Sequence, residues 1–83
     1  MFDESMTDQQ FLGLGERRQQ EALAEHCAGI EKRIRTAPSR LEAEDAAQKA
    51  CDRFALDCPN SIVRKALVRH VWELVEQRWR TKT

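Results

Sequence analysis

Apolar positions recur at the three-and-four spacing of an α-helix in three long stretches of the chain, and the only two prolines, Pro38 and Pro59, stand in the gaps. Each proline pushes its predecessor, Ala37 or Cys58, out of the helical region, so one helix must end before the next begins. The linkers 36–39 and 57–61 are short enough to fold neighbouring helices back on each other. The pattern predicts an all-α protein with a single domain over 1–83. It should be a compact bundle of three main helices, at about 16–36, 40–57 and 61–80, with a short extra N-terminal helix at about 8–13.

Local signals mark the ends of these helices. Thr7-Asp8-Gln9-Gln10 has the form of a capping box, and Met6 before it can staple onto Phe11. Gly13-Leu14-Gly15 should stop the short helix, since each glycine costs ~1 kcal/mol in a helix interior. Residues 1–6 are expected to be frayed. Ser39-Arg40-Leu41-Glu42 gives a second capping box, and Asn60 or Ser61 can cap the last helix.

The inward faces differ in width. The first main helix has a narrow stripe of Leu23, Cys27, Ile30 and Ile34, with His26 at its edge and Glu31 and Arg35 spaced as an i,i+4 ion pair on the surface. The second is lined by small residues, Ala43, Ala47, Ala50, Cys51 and Cys58, around one aromatic plug, Phe54. In the last helix Val63, Leu67, Val71 and Leu74 form one stripe and Val68, Trp72, Val75 and Trp79 a second beside it. Together they cover about 180° of the helix, where a surface helix buries little more than ~100°.

That excess is the main functional clue. Either Phe11, Leu12 and Leu14 fold back over the tryptophans, or another molecule covers them. The spacing of Val68, Trp72, Val75 and Trp79 is that of a helix–helix seam, and tryptophan is favoured at interface hot spots. The reading is a non-enzymatic module that binds a protein partner, or a second copy of itself as a homodimer, through this face. Val68, Trp72, Val75 and Trp79 would be the anchors and Lys65, Arg69 and Arg80 the charged rim. Arg64 and Arg78 lie within the apolar arc, where their stems can pack while their heads reach water.

Charge adds a second reading. Lys and Arg number 14, Asp and Glu also 14, so no global field draws the chain to nucleic acid or an anionic bilayer. The halves are uneven, with a balance of −3 over residues 1–55 and +3 over 56–83. A basic last helix after a tight turn resembles a helix-turn-helix in outline, and Asn60, Ser61, Arg64, Lys65 and Arg69 would then face DNA. Against this, Glu73 and Glu76 share the polar face with those cations, and the turn lacks the usual glycine.

Other chemistry finds little footing. Cys51 and Cys58 are seven residues apart, ~10 Å along a helix, too far to share a zinc ion bound at ~2.3 Å. Only His26 and His70 could serve a nucleophile as base, and no spacing pairs either with one. Glu42, Glu44 and Asp45 crowd the start of a helix, where the helix dipole accounts for them. There is no glycine-rich phosphate loop, so no metal, cofactor or small-molecule substrate is inferred. Three cysteines without framework spacing suit reduced, buried thiols. Met1-Phe2-Asp3-Glu4 lacks the basic start of a secretory signal, and no segment approaches ~20 apolar residues, so a cytoplasmic protein without a membrane span is expected.

Overall fold

Thr7 opens the first helix as the sequence requires: its hydroxyl accepts the Gln10 N–H at 3.1 Å while the Gln10 side chain accepts the Thr7 N–H at 3.0 Å. The computed structural model describes residues 6–79. They form five helices: α1 (Asp8–Leu12), α2 (Glu16–His26), α3 (Ala28–Thr36), α4 (Arg40–Asp57) and α5 (Ser61–Trp79). There is no strand among the described residues. The all-α expectation holds; the count of three main helices plus one does not.

The difference lies at Cys27. A single helix was expected over 16–36, but Cys27 takes φ −94° and ψ 11°, in the bridge region between helix and strand. Hydrogen bonding continues on both sides, with Cys27 N donating to Leu23 O at 2.9 Å and Glu31 N donating to Cys27 O at 2.8 Å. The helix therefore bends without unravelling. Packing supplies the reason: α2 lies against α1 and α5, whereas α3 lies against α4 and α5. A straight rod could not change neighbours in this way, and Gly29 just beyond the bend has open space around it.

The turn between α1 and α2 rests on Gly15, whose φ of +82° suits glycine far better than any other residue. Frayed ends were expected over 1–6. Residues 1–5 lie outside the described residues, but Met6 is half-buried against the core and its carbonyl accepts the Asn60 side-chain amide at 2.8 Å. That contact pins the start of α1 to the start of α5. The described part of α5 runs to Trp79, and the expected last helical residue, Arg80, lies outside it.

One hydrophobic cluster unites the helices. The narrow stripe supplies Leu23, Cys27 and Ile34, and α4 supplies Ala43, Ala47, Cys51 and Phe54, with Cys58 just after it. Ile30 and Ala50, expected on the same faces, are half-buried at its edge. All three cysteines are buried. His26 sits at the boundary, its ring 6.3 Å from that of Phe54.

The wide arc of α5 finds its explanation here. All four other helices pack against α5, so it is the central helix of the molecule. Val63, Leu67, Val71 and Val75 are fully buried along its middle. A helix with neighbours on several sides needs a wider apolar face than one lying on the surface.

Candidate functional site

α4 and α5 form an antiparallel hairpin closed at both ends. Arg40, at the start of α4, donates to the Trp79 carbonyl at 3.1 Å and to Glu76 Oε1 at 2.7 Å near the end of α5. The two helices thus stay together along their length. Along one edge of this hairpin runs a shallow groove of about 580 Å³, lined by Leu41, Glu42, Glu44, Asp45 and Gln48 of α4 and by Trp72 of α5.

The expected anchors separate. Val75 is completely buried and belongs to the core, so in a single chain it has no accessible surface to offer. Val68, Trp72 and Trp79 are half-buried against the core edge. Trp72 lies beside α4, sharing the groove with its side chains. Phe11 instead lines a cavity with Leu23, Ala66 and His70, while Leu12 stays 54% exposed.

Burial, the larger influence, pushes the Cys51 thiol's pKa up, the Trp72 indole N–H beside it pulls it down, and Asp52 adds to the rise. Trp79 differs. Its Nε1 is buried with no hydrogen-bond partner among the described residues, and the Arg78 guanidinium lies 5.3 Å from the centre of its ring.

The expected rim is also redistributed. Lys65 and Arg69 line the cavity of about 350 Å³ between α1, α2 and α5, and Arg69 pairs with Glu73 at 3.1 Å. Arg80 lies outside the described residues. Beside Trp72 the rim is acidic: among the described residues, three carboxylates and no Lys or Arg line the groove.

Leu41 is the residue that the pattern of inward positions passes over. It is 77% exposed, and it stands about 120° around α4 from the centre of the buried face. A leucine on the polar side of an amphipathic helix was the available signal. Its place inside an expected capping box concealed it, although only the Ser39 half forms, its hydroxyl accepting the Glu42 N–H at 3.3 Å.

Three of the five residues of the DNA reading have partners within the chain. Asn60 donates to Met6, Arg64 reaches the Cys58 carbonyl at 3.5 Å, and Arg69 faces Glu73. Ser61 and Lys65 are exposed. The N–H groups of Ile62 and Val63, where a phosphate would dock on the helix end, donate to Asp8 Oδ1 at 3.1 and 3.2 Å. A hairpin also differs from a helix-turn-helix, whose helices cross at ~90–120°.

His70 sits beside Lys65 and Arg69 in the inner cavity. Burial holds its pKa below the usual value, while Glu73 and Glu31 pull it back up. Among the described residues no three His, Cys, Asp or Glu side chains could jointly hold a metal ion, and no helix is long and apolar enough to cross a membrane. No protein-family model, curated protein or solved structure significantly matches the chain. What the molecule does must be read from its own surface.

Proposed function

We propose that this protein is a small, non-enzymatic interaction module that binds a protein partner, or a second copy of itself, along the α4–α5 edge around Trp72. The observation that carries the reading is the pairing of a 77% exposed Leu41 with Trp72 in one groove. Burying a leucine contributes about 1.5–3 kcal/mol, so leaving one open beside an indole forgoes stability that a partner would recover. Val68 and Trp79 continue the apolar edge along α5. Val75 supports them from beneath.

The test is position-specific crosslinking in the cell that makes the protein. A photoreactive residue at Leu41 is expected to trap one discrete adduct that the same residue at Glu25, exposed on α2, does not. An adduct of twice the chain mass identifies a second copy, and any other mass a different protein. The same adducts from both positions, or none from Leu41, would reject the face.

A further inference from the structure

Resting on that reading, we infer that the partner segment seated on the α4–α5 edge is a basic amphipathic helix. Charge selects it. Glu42, Glu44 and Asp45 rim the groove, and among the described residues no cation lines it. Glu42 has no side-chain partner among the described residues. Glu44 stands 3.8 Å from Arg40, whose guanidinium is committed more closely to Glu76 at 2.7 Å. Only Asp45 has a close cation of its own, Lys49 at 3.0 Å, and that pair is largely exposed. A Lys- or Arg-rich partner would complement this rim, whereas an acidic one would meet like charge.

Shape selects a helix. The molecule offers helices and no strand edge among the described residues, so an extended peptide has no ladder of free N–H and C=O groups to join. Leu41 to Gln48 is seven residues, ~10 Å along α4, which matches two turns of a helix laid in the groove. Apolar anchors at i, i+3 or i+4, and i+7 would then meet Leu41 and Trp72, with flanking cations over the carboxylates. An anionic bilayer also presents apolar depth, but its headgroups would be repelled by the same three carboxylates.

The experiment uses the full chain and two synthetic helical peptides of ~16 residues that share their leucine positions and carry either Lys or Glu elsewhere. Tryptophan emission reports binding. The lysine peptide should bind at least about tenfold more tightly than the glutamate peptide, and its affinity should fall several-fold between about 50 and 500 mM salt. Leu41→Ser should weaken it by about tenfold or more. The pair Glu42→Lys and Asp45→Lys should narrow or reverse the preference.

Equal binding of the two peptides, still lost in Leu41→Ser, would overturn the basic partner and leave the face standing. Binding indifferent to Leu41→Ser would overturn the face. Absence of binding by either peptide overturns the basic helix alone if the Leu41 crosslink persists, and both readings if it does not. Anionic vesicles binding in preference to the lysine peptide would also overturn the inference.

Discussion

Asp8 and Val63 are joined across 55 positions of the chain: Asp8 Oδ1 accepts the Val63 N–H at 3.2 Å, and the Ile62 N–H at 3.1 Å. These are amides of the first turn of α5, which have no acceptor within their own helix. A carboxylate there also faces the positive end of the helix dipole. Asp8→Ala should therefore lower stability by about 1 kcal/mol, as loss of a helix cap does. Asp8→Asn, which keeps an acceptor and loses the charge, should recover most of it. Urea unfolding followed by far-UV circular dichroism measures both, and equal losses in the two variants would show that charge rather than hydrogen bonding holds the contact.

The same carboxylate bears on nucleic acid. A phosphate approaching the start of α5 would have to displace Asp8, while Glu73 neutralises Arg69 further along. Duplex DNA of ~20 base pairs should fail to bind even at about 50 mM salt, where phosphate contacts are strongest. Saturable binding that collapses as salt rises would reverse this expectation and return Arg64, Lys65 and Arg69 to a functional role.

Much of this arrangement was legible in the chain, and the parts that were not share a cause. The inward face of α4 could be read because burial of Ala43, Ala47, Cys51 and Phe54 repeats with the helix itself. The bend at Cys27 could not, because Leu23, Cys27 and Ile34 keep helical spacing straight through it and only the change of neighbours requires it. The excess width of α5 was visible, but which helix covers Trp72 is a tertiary fact. Leu41 was hidden for a related reason: periodicity finds residues that face the core, and Leu41 faces away from it.

His70 makes stability depend on pH in a defined direction. Burial lowers its folded pKa below the ordinary 6.5, more than Glu73 and Glu31 raise it. The unfolded chain therefore takes up a proton before the folded one does. The contribution of neutral His70 is complete above pH 6.5 and is lost as pH falls from there through the lower folded value. Urea midpoints between pH 8 and 5 should decline more in the native protein than in His70→Gln. Parallel curves would mean that the imidazole titrates alike in both states.

The two tryptophans should respond differently to the same substitution. Trp→Phe removes ring area and the indole N–H together. At Trp72 the N–H sits by the Cys51 thiol and lowers its pKa, so its removal gives up that interaction and relieves no penalty. At Trp79 the N–H is buried and has no partner among the described residues, a state that costs about 1–3 kcal/mol, so its removal relieves a penalty that offsets the lost area. Trp72→Phe should consequently be the more destabilising by about 1 kcal/mol in urea unfolding. Trp79→Phe should lie near the native midpoint. A larger loss at Trp79 would indicate that its N–H has an acceptor in solution.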